Sequence, residues 1–178
     1  MADWTKVGRK SRNKGATYER RIAHILSEWW THGESKRAFR RTVMSGGWDK
    51  RFAAGDLLAP VPDFPVHIEI RKREEFALGS LLKGGVIWTW WREGIETADG
   101  KSLWYVMSKN GEVDYLVMGY RDWMTIQRAL EPFARSRVPY LIVHAYNTRL
   151  VATLLKPLLD VFTPDDFTRE FINGKEKT

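Results

Sequence analysis

Two carboxylates near the middle of the chain could hold a hard cation: Asp56 and, thirteen positions later, Glu69. Glu69 lies in the run Val-His-Ile-Glu-Ile-Arg-Lys, residues 66–72, whose alternation predicts a strand with one polar face. Arg71 and Lys72 stand two and three positions after it. If the strands carrying Asp56 and Glu69 pair as a hairpin, both carboxylates converge at one edge of a sheet. Together with the backbone carbonyl of Ile70 they make an all-oxygen ligand set, suited to magnesium (manganese as substitute) with waters in the open positions. A cation held there activates water and polarises a phosphate ester, and a neighbouring basic side chain offsets charge in the transition state. Glu19, on an earlier predicted helix, is a third acid able to hold a water at such a metal. The candidate catalytic set is therefore Glu19, Asp56, Glu69, Arg71 and Lys72, and the chemistry is phosphodiester hydrolysis.

An Asp and a Glu about a dozen residues apart occur by chance in most soluble proteins, and a solvated strand face would explain Glu69 equally well. The order of the surrounding elements separates this pair from chance. Apolar Tyr18, Ile22, Ile25, Leu26 and Trp29 recur at helical spacing over residues 16–30, with Glu19, Arg20 and Glu28 off that stripe and Gly33 closing the helix. Residues 38–43 read as a basic strand, and Ser45-Gly46-Gly47 opens a polar loop that runs to Gly55. A short strand at 56–59, a turn at 61–63 and the Glu69 strand follow. Residues 76–95 read as a helix in two pieces, interrupted at Gly84-Gly85. Strands at 103–108 and 113–119 flank Asn110-Gly111, a strong hairpin signal, and a short helix is expected at 121–130. Residues 140–145 and 150–155 flank Asn147 as a second hairpin, though the latter segment could equally begin a helix. A short amphipathic tail follows.

The chain carries 29 Lys+Arg against 22 Asp+Glu, a formal charge of +7. Its basic residues cluster at Lys6, Arg9, Lys10, Arg12, Lys14, Arg20 and Arg21, and again at Lys36, Arg37, Arg40 and Arg41. Such clusters favour a phosphate-rich partner, since each contact releases condensed counterions. The absence of cysteine excludes a disulfide framework, a zinc ribbon and a thiol nucleophile. The absence of a long apolar run, of a signal peptide and of a Gly-Lys-Ser/Thr phosphate loop points to a cytoplasmic protein without membrane contact or nucleotide cofactor. Trp88, Trp90 and Trp91 could stack on unpaired bases, but such residues more often pack a helix against a sheet. His24, His32, His67 and His144 show no ligand spacing, and His24 and His67 read as structural neighbours. Asp165, Asp166 and Glu170 suit the start of a helix.

Several short motifs in fixed order carry a family resemblance. Lys14-Gly15-Ala16-Thr17-Tyr18-Glu19-Arg20-Arg21 resembles the opening helix of archaeal or phage-type Holliday-junction resolvases. Phe39-Arg40-Arg41 followed by Ser45-Gly46-Gly47 is similar to their basic strand and junction-contacting loop. Gly55-Asp56-Leu57 and Ile68-Glu69-Ile70-Arg71 resemble the two halves of the PD-(D/E)xK nuclease motif. The resemblance covers about residues 14–120. It implies a restriction-endonuclease-like α/β fold: a mixed central sheet flanked by helices. It also implies homodimers that nick a four-way DNA junction symmetrically, leaving 5′-phosphate and 3′-hydroxyl ends. By position, Asp56 and Glu69 would bind metal, Glu19 and Arg20 would assist, Arg40 would contact phosphate and Ser45 would lie on the loop that approaches DNA. Lys14, Arg41, Gly46 and Gly47 complete the expected DNA-binding set.

The chain departs from the family at position 71, where Arg replaces the expected Lys. Arg71 acts electrostatically, or a bulge turns Lys72 inward, or activity is weakened or lost. The expected division is a mobile basic arm at 1–13, a nuclease core at 14–124 and an extension at 125–178 packed on the core. That extension could pack, dimerise or widen the DNA platform. The alternatives to junction resolution are a sequence-specific homing or restriction-type nuclease of the same fold and a non-catalytic branched-DNA-binding protein.

Overall fold

A computed structural model describes residues 4–42, 50–73, 79–82, 85–109 and 112–174. Ser45, Gly46 and Gly47, Gly84 of the expected helix break and the Asn110-Gly111 turn lie outside the described residues.

Helix α1 spans Trp4–Trp30. Of the stripe expected from the spacing it buries Tyr18, Ile22 and Leu26 and half-buries Ile25 and Trp29, and it also buries Ala23. Its backbone begins a dozen residues before that stripe, so residues 4–13 continue the helix where a mobile arm was expected. Apolar periodicity reports packing, whereas Lys and Arg, abundant here, favour helix with or without it. The helix ends in a Schellman turn. His32 takes φ 51° and Gly33 φ 90°, while Gly33 N–H returns to the Glu28 carbonyl at 2.7 Å and His32 N–H to Trp29 at 3.2 Å.

Three two-residue strands, β1 (Arg40–Arg41), β2 (Ala53–Ala54) and β3 (Leu57–Leu58), form a small antiparallel sheet in the order β1-β3-β2. The main sheet has five strands: β4 (Val66–Lys72), β5 (Ser102–Ser108), β6 (Tyr115–Gly119), β7 (Tyr140–Ala145) and β8 (Thr148–Leu154). Their order is β4-β5-β6-β8-β7; β4 and β5 are parallel and the other pairs antiparallel. Helices α2 (Gly79–Leu82) and α3 (Val86–Ala98) make the crossover that a parallel pair requires. Helices α4 (Tyr120–Ala129) and α5 (Pro132–Ser136) lead into the β7–β8 hairpin. The segment at 150–155 is mostly strand, and α6 (Leu155–Leu159) begins at its last residue.

The sheet has an apolar cluster on each face. On one, Tyr18, Ile22 and Leu26 of α1 meet Val66, Ile68, Ile70, Trp104 and Val106. On the other, Ile87, Trp88 and Trp91 of α3 meet Leu103, Tyr105, Met107, Val117 and Leu150. Trp88 and Trp91 are therefore buried packing residues, and the Trp88 indole N–H donates to the Leu81 carbonyl at 2.8 Å.

The C-terminal segment adds strands β7 and β8 to the sheet and closes the α1-side core. Helix α7 (Pro164–Phe167) starts with a capping box in which Thr163 and Asp166 satisfy each other's backbone N–H groups. The chain then makes a π-helical turn at Thr168–Ile172. Phe167 stacks between Phe64 and Phe171, with ring centroids 5.1 and 5.0 Å away, and meets Trp29, Trp30 and Trp104 edge-on. Among the described residues, no helix is long and apolar enough to cross a membrane.

Candidate active site

Strand β4 is an edge of the main sheet, and the site is built along that edge. Its residues alternate in burial: Val66, Ile68 and Ile70 enter the α1-side core, while His67, Glu69 and Arg71 lie on the opposite, partly exposed face. The pairing with β5 runs without interruption from Val66↔Ser102 to Lys72↔Ser108, so no bulge turns Lys72 toward Glu69 and Arg71. Lys72 instead places its ammonium 5.4 Å from the centre of the Tyr18 ring.

Asp56 reaches Glu69 by a route other than the expected hairpin. It sits in the tight connection between β2 and β3, which lies parallel to β4 through a single bridge, Gly55↔Ile68. The Asp56 N–H donates to the Ile68 carbonyl at 2.9 Å. The Asp56 side chain accepts the Ile70 N–H at 2.8 Å through Oδ2. The carboxylate thus satisfies a donor on the open edge of β4, which fixes its position against the strand that carries Glu69. Thr42 N–H donates to the Asp56 carbonyl at 2.9 Å, tying the turn to the end of β1. The close approach is possible because residue 55 is glycine. Its φ is +70°, and a Cβ there would lie 2.3 Å from the Ile68 carbonyl oxygen.

Arg71 bridges the two acids. Its guanidinium lies 3.4 Å from Asp56 Oδ2 and 3.0 Å from Glu69 Oε2, and it donates to the Ile70 carbonyl at 3.4 Å. Burial and the nearby Glu69 push the Asp56 carboxyl up to about 6, with a smaller contribution from Glu19; the Ile70 N–H and Arg71 act against that rise. Burial opposes the charge on Arg71, but Tyr105, Asp56 and Glu69 outweigh it and raise its pKa. Glu19 forms an ion pair with Arg41 of β1. It is placed by α1, which is stapled to the start of β6 where the Tyr18 hydroxyl donates to Asp114 Oδ1 at 2.9 Å and Arg21 pairs with the same carboxylate.

The structure therefore brings together Asp56, Glu69, Ile70 and Arg71, sets Glu19 close enough for its charge to act on Asp56, and leaves Lys72 on the other face. Among the expected DNA-contacting residues, Lys14, Arg20 and Arg40 are exposed. Arg20 folds back on its own helix, donating to the Ala16 carbonyl at 3.1 Å, and Arg40 donates to the Arg37 carbonyl at 3.3 Å. Arg41 is engaged with Glu19.

Two residues were not among the expected site residues. His67 Nε2 lies 2.9 Å from Glu69 Oε1. Tyr105 is directly opposite Glu69 in the β4–β5 register; its hydroxyl bonds to Arg71, whose guanidinium carbon is 6.0 Å from the ring centre. Burial pushes the Tyr105 phenol up to about 12, with Arg71 acting against the rise. His67 was legible as a same-face neighbour of Glu69 at two-residue spacing. Tyr105 carried no sequence signal, because its place depends on the register of a parallel pair thirty-six positions apart.

Two carboxylates and a backbone carbonyl gathered around the Arg71 guanidinium are oxygen donors of the kind a hard divalent cation takes, and burial together with the nearby Glu69 charge, which raise Asp56, is the strain such an ion would relieve. Among the described residues, no group of three or more His, Cys, Asp or Glu side chains is arranged to hold a metal ion. Residues 10–169 match the family described as Phage putative PDDEXK endonuclease. No curated protein and no solved structure shows significant similarity to the chain.

Proposed function

The chain belongs to the phage PDDEXK endonuclease family, and we propose that it cuts branched DNA, resolving four-way junctions by paired symmetric nicks. The observation that carries the reading is the meeting of Asp56, Glu69 and Arg71 at the outer edge of β4. Asp56, Glu69 and the Ile70 carbonyl would hold magnesium, for which manganese would substitute; that ion would supply an activated water and polarise the scissile phosphate. Arg71 stays charged at any working pH and presents a fork of donors, so it is suited to binding the phosphate and offsetting charge developing on it. Glu19, held by Arg41, adds negative charge beside Asp56 and strengthens the demand for a cation. Lys14, Arg20 and Arg40 on α1 and β1 would guide the DNA backbone toward that edge, and Ser45, Gly46 and Gly47, outside the described residues, are candidates for the same role from the sequence.

Two symmetric cuts call for two active sites related by a two-fold axis, so the working form is expected to be a homodimer. The deciding experiment compares a labelled four-way junction with matched linear duplex and forked DNA, in magnesium or manganese, with chelator and Asp56→Asn controls. Paired nicks on the junction alone, lost in both controls, are the expected result. Cutting of one duplex sequence would instead make this a sequence-specific nuclease. Tight junction binding without cutting in either metal would make it a branched-DNA-binding protein and point to Arg71 as the reason.

A further inference from the structure

We propose that His67 is a positioning residue that sets which oxygen of Glu69 faces the reacting centre; the inference rests on the nuclease reading above. The two oxygens of Glu69 have different partners. Oε1 lies 2.9 Å from His67 Nε2, and Oε2 lies 3.0 Å from Arg71, the residue that also reaches Asp56. An ionised carboxylate only accepts hydrogen bonds, so the ring nitrogen facing it carries the hydrogen. Both side chains are about one-eighth exposed, at 12% each, so water competes weakly for the contact.

The placement follows from the strand. Residues 67 and 69 project from the same face of β4 at two-residue spacing, and the imidazole edge next to Nε2 lies close to Gly55. A Cβ on Gly55 would lie 3.0 Å from His67 Cδ2, so the ring contacts both the segment that presents Asp56 and the carboxylate of Glu69. One side chain thereby spaces the two acidic segments and turns one oxygen of Glu69 away from the centre. Without it, Glu69 is free to rotate and give both oxygens to the Arg71 fork, the preferred geometry for a guanidinium and a carboxylate. That pairing would withdraw from a cation the oxygen it needs. Groups that orient metal-binding residues in this way typically change metal affinity by about 10–100-fold when lost.

The test measures manganese uptake by the full chain without DNA, following the free-ion paramagnetic resonance signal, for wild type and three variants. His67→Phe fills the space beside Gly55 but cannot donate. His67→Asn donates from too short a side chain, and His67→Gln can reach Glu69. Phe and Asn are expected to weaken manganese binding about 10–100-fold, with Gln recovering most of the loss. Urea unfolding identifies which variants are folded, and each folded one counts. On junction DNA the Phe and Asn variants should lower kcat at saturating metal while leaving KM nearly unchanged, because His67 touches no phosphate-binding group. Folded Phe or Asn variants that bind manganese like wild type would overturn the inference alone. If wild type and Asp56→Asn both fail to take up manganese, the nuclease reading falls, and the inference with it.

Discussion

Replacing Gly55 by alanine should damage the site more than its size suggests, and the structure says by how much. Two costs add. At φ +70° a residue with a Cβ gives up about 1–2 kcal/mol relative to glycine. The new Cβ would then lie 2.3 Å from the Ile68 carbonyl oxygen and 2.9 Å from its carbon, where real Cβ contacts begin near 3.0 Å. The opposing atoms are backbone, on a strand already paired with β5 along its length, so they cannot swing aside. The β2–β3 turn must instead retreat by about 0.7 Å, at an overpacking cost of about 1–3 kcal/mol. Gly55→Ala should therefore lose about 2–5 kcal/mol in urea unfolding. The same retreat lengthens the 2.8 Å bond from Ile70 N–H to Asp56 and moves the carboxylate away from Glu69. Misplacement on the scale of an ångström costs about 100-fold in rate, so DNA cleavage should fall by at least that factor in the folded variant. Gly100→Ala is the matched control: its φ is +78°, but nothing lies within 4 Å of the added methyl, so it should show the conformational cost alone and normal cleavage. Wild-type stability and cleavage in Gly55→Ala would refute the claim that this contact positions Asp56.

Three further outcomes follow from the same geometry. Asp56 has a folded-state pKa of about 6 against an ordinary value of 3.8, so the metal-free folded state binds that proton more tightly than the unfolded chain does. The resulting stability is present below about pH 4 and is lost as pH rises through about 6, up to about 3 kcal/mol in all. Asp56→Asn should accordingly be more stable than wild type at neutral pH in chelator, which urea unfolding across that range measures; equal stabilities at neutral pH would contradict the assigned burial. Arg71→Ala should reduce cleavage about 100-fold or more, whereas Arg71→Lys, which keeps a charge but loses the fork that reaches both carboxylates, should fall between Ala and wild type in single-turnover assays. Phe167→Ala should cost about 3–5 kcal/mol by urea unfolding, because its fully buried ring touches aromatic residues from α1, β5 and the segment before β4. A loss under about 1 kcal/mol would mean that the C-terminal segment is not part of the core.

The elements that position the site were legible where their period is local. Alternation located β4 to the residue, and helical spacing found the buried face of α1. Asn147 marked the second hairpin, whose turn takes φ 51° at Tyr146 and 59° at Asn147. The start of α1 was not legible, since a helix can run on beyond the stripe that packs it. Nor was the way Asp56 meets Glu69: a one-bridge parallel contact between a turn and a sheet edge leaves no periodic trace, only the glycine that permits it. Tyr105 and the aromatic contacts of Phe167 depend on partners distant along the chain, and composition alone does not choose among partners.

The charges at the site explain why an arginine at position 71 is compatible with a cation-dependent centre. Asp56, Glu69 and Glu19 supply three negative charges, while Arg71 and Arg41 supply two positive ones, leaving one negative charge over. Burial, and after it that surplus, raises Asp56 toward neutrality in the metal-free chain. A divalent ion would reverse the balance to one positive charge, matching the single negative charge of a phosphodiester. A lysine at position 71 could release its proton and so act on a nucleophile directly; an arginine cannot. Arg71 can instead serve two carboxylates and the Ile70 carbonyl at once, which one ammonium would do less well. If Arg71 serves the reaction as proposed, proton removal would fall to other groups, and the basic residue beside Glu69 would work as a fixed charge. Its contribution to the rate should be nearly independent of pH across the range in which a lysine would titrate, and a basic limb that appears only in Arg71→Lys would mark the difference.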